Sequence, residues 1–183
     1  MSQAYRETCV ELCSNIVSSF LAVAPQSVPK RFGNEPPCQM DIWIRRITSY
    51  GNLDAFISLV AVFYLFKIHQ LNPQLRFSKV NAHRCFLVAA ILASKYSEDR
   101  TYLNNDWATI GFSYYPVSLL NQMEIEMLKL LNFELSFKMK ELSEFLEFQL
   151  QTIEKLNPEL VDNFRELDRL HDNLLCTDYC TLL

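Results

Sequence analysis

The segment from Phe86 to Ala93 is apolar at every position. A helix built from such a segment has no polar face to turn toward water, so other parts of the chain must cover it on all sides. The chain has only three glycines, which argues against a turn-rich β-sandwich and against a glycine-dependent phosphate loop. We therefore expect an all-α protein with a buried central helix capped near Ser78. Its buried residues are predicted to include Phe86, Val88, Ala89, Ala90 and Ile91.

Apolar periodicity and proline positions divide the rest of the chain. Residues 1–24 should contain an amphipathic helix, since Cys9, Leu12, Cys13, Ile16, Val17 and Phe20 fall on one helical face. Residues 25–39 contain several prolines and are predicted to form a linker. The main domain then spans residues 40–137. Residues 138–183 should supply C-terminal helices that pack on it, the last running from about Glu159 to Cys176.

Two local signals place the long apolar helix inside the main domain. Asn52 is the predicted N-cap of a helix that is apolar from Leu53 to Leu71. Asn72 and Pro73 end it, because a residue before proline avoids the helical conformation. Further on, Pro116 fits the first turn of another helix.

The charge pattern argues against nucleic acid and membrane as partners. The net charge is -4, and lysines and arginines are scattered rather than gathered in a basic stripe. The longest apolar run, Ala55–Phe66, is shorter than the roughly 20 residues that a membrane-spanning helix needs. The stretch Val17–Ala24 lacks the basic flank and cleavage pattern of a signal peptide. We expect an intracellular protein, located in the nucleus, the cytoplasm or both.

Neither the histidines nor the cysteines form a convincing reactive site. His69, His83 and His171 have no serine, cysteine or carboxylate at the spacing of a catalytic triad or a metal motif. We therefore expect no catalytic residues and no cofactor. The cysteines offer one alternative: Cys9 with Cys13, and Cys176 with Cys180, could bind zinc if the terminal helices met. Cysteines at this spacing more often fill a core, so we predict neither a metal nor a disulfide among them.

Several segments together resemble one known family. The segment "AAILASKYSED" (Ala89–Asp99) is similar to the end of the third helix of a cyclin box, and "MEIEMLKLLNFEL" (Met123–Leu135) to its fifth helix. Lys95 and Glu124 stand 29 positions apart, as does the lysine-glutamate pair of cell-cycle cyclins. Three further segments resemble P-type cyclins, the group typified by the yeast phosphate-pathway cyclin: "NAHRCFLVAA", "NNDWATIGFSYYPVSLLNQME" and "DIWIRRITSY".

This resemblance implies a single five-helix cyclin box with flanking N- and C-terminal helices, and a role without chemistry of its own. A cyclin box docks on the C-helix of a cyclin-dependent protein kinase and turns that helix inward, which completes the ion pair of the kinase active site. By resemblance, Lys95 and Glu124 would grip backbone groups near the kinase helix. The apolar residues of the implied docking face are Leu92, Tyr96, Leu128, Phe133 and Leu135. Leu92 and Leu128 fit the core equally well.

The chain also departs from the family pattern. Many cyclins carry an aspartate where this chain has Phe66, so the usual ion pair is absent, and we expect the Phe66 ring to pack against apolar side chains instead. Trp43 matches the tryptophan of the substrate-docking patch of cell-cycle cyclins, but Pro36, Ala82 and His83 replace other members of that patch. The alternative function is a kinase-independent adaptor of the same fold in a transcription or signalling complex.

Overall fold

The computed structural model describes residues 2–21, 36–75, 77–78 and 81–170. Within these residues the chain forms eight helices and no strand, which confirms the all-α prediction. The helices are α1 (Gln3–Leu21), α2 (Met40–Tyr50), α3 (Ala55–Leu71), α4 (Ala82–Ser97), α5 (Asn104–Ile110), α6 (Val117–Leu130), α7 (Met139–Glu154) and α8 (Pro158–Leu170).

Helix α4 lies at the centre of the five helices α2–α6. It packs most extensively on α3 and also contacts α2 and α6. The predicted core residues Phe86, Val88, Ala89, Ala90 and Ile91 are all buried. The apolar segment is therefore covered on all sides, as the sequence pattern requires.

The caps of two helices differ from the predicted ones. Helix α3 begins two residues later than expected because Asp54, not Asn52, is its N-cap and accepts a hydrogen bond from Ile57 N at 2.8 Å. Asn52 instead adopts a left-handed conformation with φ 48°. The N-cap of α4 is Asn81 rather than Ser78, and the Asn81 side chain accepts a hydrogen bond from Ser78 N at 2.8 Å. The predicted caps were wrong at both places because they were chosen by residue type, and the conformation of the local backbone decides which residue becomes the cap.

The flanking helices cover α3 and each other. Helix α1 packs on α2, α3 and α8, and α7 packs on α3 and α8. The Tyr5 hydroxyl of α1 donates to Asp168 Oδ1 of α8 at 3.0 Å, and its ring stacks on Phe164 at 6.1 Å between centroids. Residues 25–35 of the predicted linker and residues 171–183 of the predicted C-terminal segment lie outside the described residues, as do residues 22–24.

The prediction for Phe66 is confirmed. Its half-buried ring lies 4.7 Å from the ring of Phe145 on α7 and 6.4 Å from that of Phe20 on α1, between centroids. Aromatic packing at Phe66 thus joins α3 to both α1 and α7.

Cys9 and Cys13 are buried on the inner face of α1, and neither is in a disulfide. The Cys13 thiol contacts the carbonyl oxygen of Ser58 at 3.6 Å, and its burial raises its pKa to about 12. Cys176 and Cys180 lie outside the described residues, as does His171. Over the described part of the chain, no group of three or more histidine, cysteine, aspartate or glutamate residues is placed to hold a metal ion. None of the helices described there has both the length and the apolar character needed to cross a membrane.

Candidate docking face

Lys95 and Glu124 meet at the rim of the helical core. Lys95 lies in the last turn of α4 and Glu124 in the middle of α6, and their Nζ and Oε1 atoms are 2.6 Å apart. The exposed fractions of the two side chains are 31% and 14%. The prediction that they lie close together is therefore confirmed. An ion pair shielded to this degree is screened less by salt than a fully exposed one.

The packing of α6 on α4 explains this position. Met123 and Met127 are buried beneath Glu124 on the inner face of α6, and Leu92 is buried one turn before Lys95 on α4. Lys95 and Glu124 lie directly at the edge of these apolar faces. Their heads therefore remain accessible while their stems cover apolar surface.

A third residue, Asn104, completes the pair and was not predicted from the sequence. Lys95 Nζ donates to Asn104 Oδ1 at 2.9 Å, and Asn104 Nδ2 donates to Glu124 Oε2 at 2.7 Å. The same amide nitrogen also donates to Asn121 Oδ1 at 2.7 Å. The cluster therefore joins α4, α5 and α6. A polar residue at the start of α5 was the only available signal, since its partners lie 9 to 20 positions away.

A second polar network fixes the end of α4 beside Lys95. Ser94 Oγ lies 2.5 Å from Glu98 Oε2 and 2.6 Å from Thr101 Oγ1. Ser94 has one hydroxyl proton, so when it donates to the carboxylate it accepts from Thr101. The network ties the loop between α4 and α5 to the core, and this loop leads to Asn104.

The predicted apolar residues separate into exposed and buried members. Tyr96 and Phe133 are 48% and 65% exposed, whereas Leu128 and Leu135 are half-buried. Leu92 is only 2% exposed and belongs to the core. The sequence had left open whether Leu92 lies in the core or on the docking surface. A contact role for Leu92 therefore does not fit this structure, because its side chain is covered by the helices around α4.

Leu103 adds an exposed apolar side chain that the sequence analysis did not single out. It is 73% exposed, occupies the N-cap position of α5 and directly precedes Asn104. Its place beside the polar cluster extends the apolar surroundings of Lys95 and Glu124. We use the name docking face for the candidate set Lys95, Tyr96, Leu103, Asn104, Glu124, Leu128, Phe133 and Leu135.

Phe133 is held outward by an unusual turn after α6. Asn132 and Phe133 have φ angles of 54° and 60°, both in the left-handed region. This conformation is uncommon for a bulky residue and costs free energy that the surroundings must offset. The Phe133 amide donates to Leu128 O at 2.7 Å, which closes the turn.

Side chains of α3 hold the chain after that turn. The Tyr64 hydroxyl donates to Leu135 O at 3.0 Å, and Lys67 Nζ donates to Ser136 O at 3.2 Å. Burial raises the pKa of Tyr64 well above its usual value, so it stays a neutral donor. Before the turn, Asn72 at the C-terminal end of α3 donates from Nδ2 to the carbonyl oxygen of Leu130, the last residue of α6, at 3.0 Å. The backbone that presents Phe133 and Leu135 is therefore fixed from the core side.

Trp43 does not lie on an exposed patch. It is completely buried, and its indole Nε1 donates to His83 O at 2.9 Å. The Trp43 and His83 rings meet edge to face, with centroids 5.5 Å apart. Trp43 therefore connects α2 to α4 as a core residue, which agrees with the departure of this region from the substrate-docking patch.

Comparison with known proteins identifies related sequences. A family model described as "Cyclin" matches residues 2–135. Cyclin-U2-2 of Arabidopsis thaliana is 33% identical over 55% of this chain and 43% of that protein. PHO85 cyclin-1 of Saccharomyces cerevisiae is 30% identical over 62% of the chain and 41% of that protein. Cyclin-U4-1 of Arabidopsis thaliana is 24% identical over 87% of the chain and 80% of that protein. The chain thus spans less than half the length of the first two.

Proposed function

Because this chain belongs to the cyclin family, we propose that it is a regulatory subunit that binds and activates a cyclin-dependent protein kinase through the docking face. The relatives named as PHO85 cyclins support a kinase as the partner. In this proposal the chain supplies no catalytic group and no cofactor. It acts inside the cell, in the nucleus, the cytoplasm or both.

The Lys95–Glu124 pair carries the proposal because it retains unused hydrogen-bonding capacity. Lys95 has three N–H donors, of which Glu124 and Asn104 accept two. Each Glu124 oxygen accepts one hydrogen bond within the cluster and can accept a second. The pair can therefore bind one backbone carbonyl and one or two backbone amides of a partner without breaking its internal bonds.

The apolar side chains around the pair suit a protein partner. Tyr96 directly follows Lys95 and Leu103 directly precedes Asn104, and both are exposed, as is Phe133 after α6. Exposed aromatic residues around fixed polar groups are typical of protein interfaces, where they exclude water from the polar contacts. Docking of this face on the kinase C-helix would turn that helix inward and complete the kinase active site.

The first experiment identifies the partner and tests the pair. The chain is purified from its own cells and the bound kinase is identified by mass spectrometry. Lys95→Ala and Glu124→Ala are then compared with wild type in kinase binding and activation. Truncation of one side of a desolvated charge contact costs about 2–5 kcal/mol, so we expect binding to weaken by roughly ten- to a thousand-fold.

Lys140 and Glu144 on α7 provide a matched control. They form an exposed pair at 3.9 Å on α7, with side chains 65% and 66% exposed, and neither belongs to the docking face. Lys140→Ala and Glu144→Ala should leave kinase binding unchanged. Wild-type binding by both Lys95→Ala and Glu124→Ala, with thermal melts that match wild type, would refute the proposed docking face. Capture of a stable complex without a kinase would favour the adaptor role instead.

A further inference from the structure

Every hydrogen-bonding group of the Asn104 side-chain amide has a partner within the cluster. Its carbonyl oxygen accepts from Lys95, and its two N–H groups are directed to Glu124 Oε2 and Asn121 Oδ1, both at 2.7 Å. A primary amide has both a strong acceptor and two donors in one plane. The orientation of the amide follows from its partners, because the ammonium requires the oxygen and the carboxylate requires the nitrogen.

We propose that Asn104 is a positioning residue that sets the directions in which Lys95 and Glu124 face a partner kinase. This inference rests on the function proposed above. It adds a residue of α5 to a pair formed by α4 and α6, and it assigns that residue a role in affinity rather than in direct contact.

The physical reason is the freedom of the two charged side chains. Lysine and glutamate have several rotatable bonds, and fixing such a side chain at an interface costs conformational entropy. Asn104 has a short side chain and is itself fixed by Asn121. By holding one donor of Lys95 and one oxygen of Glu124, it places the remaining donor and lone pairs in defined directions before the kinase arrives.

Other residue types cannot make the same contacts. An aspartate at position 104 would still accept from Lys95 but would bring a second carboxylate next to Glu124. An alanine would remove all three hydrogen bonds. The amide of Asn104 is therefore matched to a site that has a cation on one side and an anion on the other.

The neighbouring Asn105 allows a matched control. It is exposed, occupies the next position of α5 and has the same side chain. Its only hydrogen bond described outside the helix ladder uses the backbone carbonyl, which accepts from Thr109 Oγ1. A change at Asn105 therefore tests the general effect of shortening an asparagine in this helix without disturbing the cluster.

The test measures binding of the kinase captured with the wild-type chain, by titration calorimetry, together with urea unfolding of each variant. Asn104→Ala should weaken binding about tenfold, whereas Asn105→Ala should bind as wild type. In a Lys95→Ala/Glu124→Ala background, adding Asn104→Ala should cause no further loss, because a positioning residue has nothing left to position. A purely structural role for Asn104 predicts the same loss in both backgrounds.

Each result has a defined meaning. Wild-type affinity of Asn104→Ala, or an undiminished loss in the background without Lys95 and Glu124, would overturn the positioning role while leaving the docking face intact. Wild-type affinity of the Lys95 and Glu124 variants would refute the docking face and the positioning role together. If Asn104→Ala does not fold, Asn104→Asp replaces it, since it keeps the size of the side chain. That variant should also bind at least about tenfold more weakly, and wild-type affinity would overturn the proposal.

Discussion

Phe133 allows a test in which stability and binding should change in opposite directions. Its φ of 60° lies in the left-handed region, which costs a non-glycine residue about 1–2 kcal/mol. Its ring is 65% exposed and so contributes little to the core. The change Phe133→Gly removes the left-handed cost but adds about 0.4–1 kcal/mol of backbone entropy to the unfolded state. We expect the free energy of unfolding to rise by up to about 1 kcal/mol.

The same change removes an exposed aromatic ring from the docking face. Truncation of a central aromatic residue in an interface commonly costs about 2 kcal/mol or more, which corresponds to a roughly thirty-fold weaker complex. The melting temperature of Phe133→Gly should therefore increase, by at most about 2–4 °C, while its affinity for the captured kinase falls. Thermal unfolding and titration calorimetry on the same preparation measure both effects.

Two further variants separate the contributions. Phe133→Ala retains the left-handed cost, so it should weaken binding equally while its melting temperature stays near that of wild type. Phe148 on α7 is 61% exposed, and Phe148→Ala should not change binding. The reasoning is refuted if Phe133→Gly lowers the free energy of unfolding by more than about 1 kcal/mol, since the ring would then be a packing residue. Unchanged affinity would remove Phe133 from the docking face.

Two other predictions concern the core. Asp54→Ala should lower the free energy of unfolding by about 1 kcal/mol because α3 loses its N-cap. Asn52→Gly should not lower it, since φ at Asn52 is 48°, a conformation that glycine adopts readily. Urea unfolding of both variants measures the two effects. The pKa of Cys13 is raised from 9.0 to about 12 in the folded protein, so the folded state holds this proton more tightly than the unfolded state. Its contribution to stability should be complete below pH 9 and decrease as the pH rises toward 12, and Cys13→Ser should show a smaller decrease in urea unfolding at alkaline pH.

The helices could be predicted from the sequence because their apolar faces repeat with helical spacing, and α4 because it has no polar face. The caps were less predictable, since Asp54 and Asn52 are both good capping residues and only the backbone path decides between them. The Lys95–Glu124 pair was found through the family resemblance. Asn104 was not, because its contacts depend on how three helices meet. The burial of Leu92 likewise depends on the rotation of α4 against its neighbours, which periodicity alone does not determine.

The contact between Tyr5 and Asp168 has a consequence for how the protein is made. The two residues are 163 positions apart, and at a translation rate of about 5–20 residues per second the ribosome needs on the order of ten seconds or more to reach the second. During that interval α1 can associate with α2 and α3, but Phe164 and Asp168 of α8 are not yet there to contact Tyr5. A nascent chain therefore lacks the cover that α8 gives to the Tyr5 ring until α8 emerges, and a chaperone that shields such surfaces would act on the first helix rather than on the last.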